Sequence, residues 1–419
     1  MAITHVTLID PGSGPRPDVT IVMVGHRITA VGPSASTPVP AHAQVHDETG
    51  HFAVPGFWDA HVHLSQMGIE SMPLFVANGV TGVRDMGSTF EDIVRWRQAR
   101  SAGQPAPRIF APGPKLDGKG EPWNDNWLVT SPEAARRAVD DLKAYGVDFI
   151  KVHGGLSRPV YDAVADESRK KGLFFSGHVG ADYPAAWAAK SGQRTIEHGS
   201  HMVPCSESVR AQLRADPKLA PTLTWVCADT NDDVLPELAR AGVWLTPTLV
   251  SWRGKVMMHK DAPTLEGFRY VTEALEKHWL GDGEETAPLP IEREVFAQFG
   301  PLAAHAHRAG VHLLVGTDIG DPYVVPGFAL HDEMQLFVEA GIPPLVALRS
   351  ATLEAARALG VADTTGSIEA GKSADVVVLE ADPLANIRNT RRIGAVVLNG
   401  QWYDRAKLTA LLEPLRRPN

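Results

Sequence analysis

Cysteine is nearly absent: Cys205 and Cys227 are the two in 419 residues. So few thiols exclude a disulfide framework; the two could pair, but buried free thiols are expected. No run of about 18 consecutive apolar residues occurs, so no membrane-spanning helix is expected. The first residues, Met1 to Asp10, lack a basic stretch followed by an apolar one, so no secretory signal is legible and the cytoplasm is the default compartment. Long basic runs are missing too. With a formal net charge of −9, nucleic acid and anionic membrane are excluded as main partners. A small-molecule substrate remains.

What is present is an ordinary globular composition, 44% hydrophobic and 21% charged. The length exceeds what one hydrophobic core fills, leaving room for a (β/α)₈ barrel of roughly 250 residues and a smaller domain. Short strands open the chain at Val6–Ile9, Val19–Val24 and Ile28–Val31, with Gly25-His26 turning between the last two. From Phe57 the pattern becomes short apolar runs alternating with amphipathic stretches. The runs are Phe57–His61, Val80–Asp85, Arg108–Ala111, Val147–Val152, Phe174–His178, Thr195–His198, Val243–Thr248 and His312–Thr317. Near-continuous apolar strands between helices mean a parallel sheet buried on both faces, and eight such units close a barrel. Ser131-Pro132 reads as an N-cap followed by proline at the first helical position. A helical region spans His331 to Leu359. Strand character then returns at Asp375–Leu379 and Ala395–Leu398, with Asn399-Gly400 as a hairpin turn. The fold class is therefore α/β, a (β/α)₈ (TIM) barrel over 55–362 with a small β-sandwich formed by both ends, 1–54 and 363–419.

Two connections are too long to be plain links, Lys115 to Val129 and Ser251 to Gly300. Both leave from strand C-termini, the face where barrel active sites lie, and are expected to wall a pocket; for the second, an oligomer contact or surface helix pair is the alternative.

Residues able to bind metal gather at strand ends. His61-Val62-His63 closes the first strand, and the two-residue period puts both imidazoles on one side. Lys151 ends the fourth strand; a lysine there either pairs with a carboxylate, grips a substrate anion, or takes up carbon dioxide through a depressed pKa to become a bridging carbamate. His178 and His198 end strands five and six, and Asp318 ends strand eight. Each alone is weak evidence. Five strands presenting such a residue at the same end is not expected of independent core positions.

The segment Pro55-Gly56-Phe57-Trp58-Asp59-Ala60-His61-Val62-His63-Leu64 resembles the opening motif of the amidohydrolase superfamily, and the later lysine, histidines and aspartate fall in that family's order. Gly366-Ser367-Ile368-Glu369-Ala370-Gly371-Lys372-Ser373-Ala374-Asp375 is similar to its return into the small sheet domain. Val83-Arg84-Asp85-Met86-Gly87 and Ile196-Glu197-His198-Gly199-Ser200 resemble the branch holding imidazolonepropionase and the Xaa-Pro dipeptidase-like hydrolases; Lys151 sides with the latter, although Lys151-Val152-His153-Gly154-Gly155 is shorter than their usual run. The resemblance implies one ion on His61, His63 and Asp318, a second on His178 and His198, and carbamylated Lys151 between them. Zinc is the default for such a site. A water shared by two ions about 3.5–4 Å apart would become hydroxide near neutral pH and attack the scissile carbonyl, with Asp318 as the catalytic proton carrier. His153, Arg84 and His331 are candidates for substrate contact, and Asp59 and Asp85 for orienting a ligand. The expected reaction is cleavage of an amide or peptide-type C–N bond in a small Xaa-Pro dipeptide or N-acyl amino acid. A lactone, carbamate, urea or phosphotriester at the same site, or an inactive scaffold, are the alternatives. Family analogy implies a homo-oligomer.

Overall fold

The computed structural model describes residues 1–118, 125–216, 226–228, 233–280 and 287–417. Five strands open the chain: β1 (Ala2–Asp10), β2 (Gly14–Val24), β3 (Arg27–Pro33), β4 (Val45–Asp47) and β5 (Phe52–Pro55). The parallel part follows with β6 (Phe57–Val62), β7 (Val80–Asp85), β8 (Arg108–Phe110), β9 (Lys115–Asp117), β10 (Asn126–Leu128), β11 (Ile150–Val152), β12 (Phe175–Gly177), β13 (Thr195–Glu197), β14 (Trp244–Thr246) and β15 (His312–Leu313). Three strands return at the end, β16 (Val376–Leu379), β17 (Ile393–Leu398) and β18 (Gln401–Asp404).

Both chain ends meet in one eight-stranded sheet, ordered β18-β17-β16-β5-β1-β2-β3, with β4 also on β1. The joint is the antiparallel pairing of β16 with β5, from Val376 opposite Pro55 to Leu379 opposite Phe52. Strand periodicity explains why a run of four apolar residues serves two masters. Val376 and Val378 face a core private to this sheet, with Ile3, Ile21 and Val397. Val377 and Leu379 face the main core. The Asn399-Gly400 turn has both residues at positive φ, 51° and 80°, as a tight hairpin requires.

All eight strands anticipated between Phe57 and Thr317 form. They are parallel, β6-β7-β8 in one sheet and β9 to β15 in the other. Backbone hydrogen bonds also cross both seams between the sheets. Asp148 donates to the Ala111 carbonyl at 2.9 Å, and Ala60 to that of Val315 at 2.9 Å. Helices cover the outside. In Pro132–Tyr145 the buried residues are Ala135, Ala138, Val139 and Leu142, one stripe at helical spacing. Its Ser131 side chain accepts from the Ala134 amide, the expected N-cap. Between Phe328 and Ala358 three helices form where one helical region was read.

Two features differ from the sequence reading. The connection after β8 contains β9 and β10, which extend the larger sheet; its Trp123 and Asn124 lie outside the described residues. Cys205 and Cys227 are not free thiols but a disulfide, with Cα atoms 5.4 Å apart. The cause is tertiary: Val203 and Cys227 form an isolated parallel bridge, which brings two segments 22 residues apart into bonding range.

Candidate metal centre

The C-terminal end of β6 starts the site. His61 is fully buried, and its Nδ1 lies 2.8 Å from Glu197 Oε2. Its Nε2 is 3.3 Å from Asp318 Oδ1, and His63 Nε2 is 3.4 Å from the same oxygen. Ligand atoms from His61, His63 and Asp318 thus lie within 4.8 Å of one another. Asp318 reaches them because the chain beyond β15 hooks over β6, where the Asp318 amide donates to the His61 carbonyl at 2.8 Å. Gly316 permits this approach, since a Cβ there would come within 2.7 Å of His61 Cβ. Asp59, two residues before His61, accepts from the Thr317 amide at 3.0 Å and its hydroxyl at 2.6 Å, fastening the last strand to the first. Burial pushes the Asp59 carboxyl up to about 7. Asp85 likewise serves the backbone, accepting from Leu64 at 3.0 Å and Gly87 at 3.2 Å.

A second group of donors faces the first. His178 and His198 approach Nε2 to Nε2 at 3.0 Å, and His198 Nδ1 meets Thr248 Oγ1 at 2.9 Å and Asp318 Oδ2 at 3.5 Å. His198, Thr248 and Asp318 all have left-handed backbones, with φ of 64°, 50° and 60°. Such conformations are uncommon outside glycine and gather at functional sites. Lys151 on β11 is fully buried, and its Nζ makes no hydrogen bond among the described residues.

The electrostatics suit cation binding. Burial pushes His61 down to about 4 and holds His178 and His198 well below the ordinary imidazole range. These rings are therefore neutral at pH 7, the form that ligates. Burial also pushes the Lys151 amine down to about 7, although Glu197 opposes the shift. Burial alone would raise Asp318, but the imidazoles of His198, His61 and His63 outweigh it and hold the carboxyl well below its usual range. Divalent ions fit this donor set. His61 Nε2 and Lys151 Nζ are both buried without a hydrogen bond among the described residues, a costly arrangement that a cation, with carbamylation of the amine, would resolve.

A cavity of about 300 Å³ opens on this end, lined by His63, Lys151, His178, His198 and Asp318. His153 lines it too, with Nδ1 2.8 Å from Asp117 Oδ2 and its ring centroid 4.4 Å from that of His178. Trp252, Lys255 and His278 form one wall, so part of the long segment after β14 does face the pocket.

Two expected substrate contacts lie elsewhere. Arg84 is fully buried beneath the site and spends its guanidinium on Glu197, Thr195, Thr246 and the Ala60 carbonyl. A strand residue facing the interior has no path to the pocket. His331 is buried against the edge of Phe57, bonded to Thr390 Oγ1 at 3.0 Å and the Asn78 carbonyl at 3.1 Å. Its helix turns that face toward the small sheet domain. Arg253, on the long segment after β14, pairs with Asp332 at 2.7 Å. The residues that sequence reasoning missed are Glu197, Lys115, Lys255 and Asp321. Glu197 sits inside a quoted motif, next to His198, but nothing in the string shows that it meets His61 across 136 residues. Lys115, paired with Asp125 at 3.1 Å, and Lys255, paired with Asp321, carried no periodic signal.

Comparison with known proteins agrees with this geometry. Residues 52–403 match the amidohydrolase family. An imidazolonepropionase from Cereibacter sphaeroides is 24% identical over 428 residues, covering 96% of this chain and 97% of that one. Among solved structures, one described as a prolidase from Bifidobacterium longum has 28% identity and a TM-score of 0.72 over 99% of this chain and 98% of its own. Bottromycin amidohydrolase has 25% identity and a TM-score of 0.78 over 99% of this chain and 89% of its own. With more than half its length matched and its strand-end histidines, lysine and aspartate brought together, the chain belongs to the amidohydrolase family, hydrolases acting on carbon–nitrogen bonds.

Proposed function

We propose that the protein cleaves an amide or peptide-type C–N bond in a small substrate of the Xaa-Pro dipeptide or N-acyl amino acid type, at a centre of two divalent ions. The observation that carries this reading is Lys151, a buried amine without a hydrogen bond among the described residues, beside His61, His178, His198 and Asp318. A neutral amine adds to carbon dioxide and releases one proton, and the resulting carbamate would offer two oxygens sharing one negative charge where the amine offered none. In this reading His61, His63 and Asp318 would hold one ion and His178 and His198 the other, with the Lys151 carbamate available to both. Zinc suits the histidine-rich donor set, and such ions would supply Lewis acidity and bring the pKa of water near neutrality.

The chain's own residues then have separate tasks. Asp318 receives the proton of the attacking water on a carboxylate oxygen and returns it to the leaving nitrogen. Thr248 holds the His198 ring in one orientation through Nδ1. His153, oriented by Asp117 and lining the cavity, contacts the substrate. A volume of about 300 Å³ lies at the small end of ligand pockets, in keeping with a dipeptide-sized substrate.

The same reading takes the two parallel sheets as one closed (β/α)₈ barrel over 55–362, because hydrogen bonds cross both seams. Residues 1–54 and 363–419 would form the β-sandwich around their private core. A homo-oligomer is inferred by analogy. The Cys205–Cys227 bond favours an oxidising compartment over the cytoplasm.

Metal content per chain, measured on protein purified without chelator, alongside hydrolysis of N-acyl amino acids and Xaa-Pro dipeptides, tests the proposal. Close to two ions per chain and loss of hydrolysis on chelation are expected. One ion or none after zinc and bicarbonate are supplied would remove the bridged centre; two ions without hydrolysis of any such C–N bond would remove the substrate class.

A further inference from the structure

Beneath the cavity, where no substrate reaches, lies a fully buried chain of charged and polar groups that the mechanism above does not use. Arg84 projects from β7 and Glu197 from β13, and both are 0% exposed. Arg84 Nη2 donates to Glu197 Oε1 at 3.0 Å and Oε2 at 2.9 Å. Arg84 Nη1 donates to Thr195 Oγ1 at 2.7 Å, and Nη2 also lies 3.3 Å from Thr246 Oγ1. Thr195 in turn bonds Glu197 Oε1. The same Oε2 also faces His61 Nδ1 at 2.8 Å.

The direction of that last bond follows from the partners. Arg84 and Glu197 form a close buried ion pair, the guanidinium donating to both carboxylate oxygens and the Thr195 hydroxyl to one of them. An ionised carboxylate can only accept, so His61 Nδ1 must carry the proton. The lone pair is then on Nε2, the nitrogen that points at Asp318 and makes no hydrogen bond among the described residues. His198 is oriented differently, its Nδ1 meeting the neutral hydroxyl of Thr248. The left-handed backbone at His198 has a part in this. Consecutive strand residues ordinarily point to opposite faces, yet here Glu197 serves His61 while His198 enters the ligand set, and φ of 64° at His198 turns the chain between them.

We infer that Glu197, clamped by Arg84, is a positioning residue that locks His61 in the Nδ1–H tautomer and sets the affinity of the His61–His63–Asp318 position for a divalent ion. The inference rests on the metal reading proposed above. A purely structural ion pair would tie β7 to β13 without needing any contact to His61. Here the carboxylate is shared between the cation and the ring, as in carboxylate–histidine–metal arrangements.

Two measurements test it. In the metal-free wild-type chain with ¹⁵N-labelled histidine, the His61 signal, assigned with His61→Gln, should show the proton on Nδ1; a proton on Nε2 would overturn the inference, whether or not any variant folds. Zinc affinity is then compared by competition against a chelator in wild type and Glu197→Gln, with circular dichroism of both metal-free chains as the check on folding. A folded Glu197→Gln chain should bind the weakened ion about ten- to a hundredfold less tightly, with the other ion within about threefold. Unchanged affinity in the folded variant overturns this inference alone. A wild-type chain that binds no zinc overturns the metal reading and the affinity claim together, leaving only the tautomer to be read from the histidine spectrum.

Discussion

Replacing Lys151 by methionine should make the metal-free chain more stable while it abolishes the metal centre. The wild-type amine is buried and hydrogen-bonds to nothing among the described residues, so methionine, of similar length, forfeits no such bond. Burial pushes its pKa from 10.5 to about 7, which fixes the sign. Between those values the unfolded chain holds a proton that the folded chain lacks, so wild-type stability rises with pH across that window. Each pH unit is worth about 1.4 kcal/mol, so from pH 7 to 9.5 the Lys151 contribution amounts to roughly 3 kcal/mol. Below pH 7 both states are protonated and the full penalty, about 5 kcal/mol as a ceiling, weighs on the fold. Lys151→Met removes it. Urea unfolding of chelator-treated proteins in bicarbonate-free buffer at pH 6 and 9.5 should show the variant ahead by several kcal/mol at pH 6, with a lead about 3 kcal/mol smaller at pH 9.5. Metal analysis of the same variant should find no bridged pair. A variant less stable than wild type at pH 6, or a lead independent of pH, would refute the argument that an unpartnered buried amine is held here at a cost to the fold.

Asp318→Asn should keep the fold, because the side chain remains isosteric, and lower turnover by orders of magnitude in a steady-state assay; near-normal turnover would take the proton-carrier role from Asp318. Reducing the Cys205–Cys227 bond, or Cys205→Ser, should destabilise the chain by about 3 kcal/mol, as loop-closure entropy gives for a ring of this length, read as a lower thermal midpoint against the oxidised wild type. His331→Phe should leave KM unchanged within about twofold and cost stability by depriving the buried Asn78 carbonyl of its His331 donor. A KM change of tenfold with stability intact would restore His331 to the pocket.

The strand order and the strand-end residues that gather at the site were legible because each is a local signal. Buried parallel strands read as apolar runs such as Val147 to Val152, and a strand's last residues point at the site whatever lies between strands. Arg84 shows where that logic stops. Its position at the end of an apolar strand was correctly placed, but whether a guanidinium faces the pocket or the buried layer beneath it depends on Glu197, 113 residues away. The Cys205–Cys227 pair and the burial of His331 depend on equally distant contacts, through Val203 in one case and through Asn78 and Thr390 in the other. Periodicity carries no information about such pairings.

The left-handed backbone at His198, Thr248 and Asp318 has a consequence for anyone dissecting the centre by mutagenesis. Alanine, the usual probe, carries a Cβ that disfavours this conformation by roughly 1–2 kcal/mol, whereas asparagine and glycine accept it more readily. An alanine at 198 or 318 therefore removes a ligand and also relaxes the main chain, so its phenotype mixes two causes. Asparagine keeps the turn while changing the donor. Ligand scans of this enzyme are best written in asparagine, and an alanine scan would overstate what each side chain contributes.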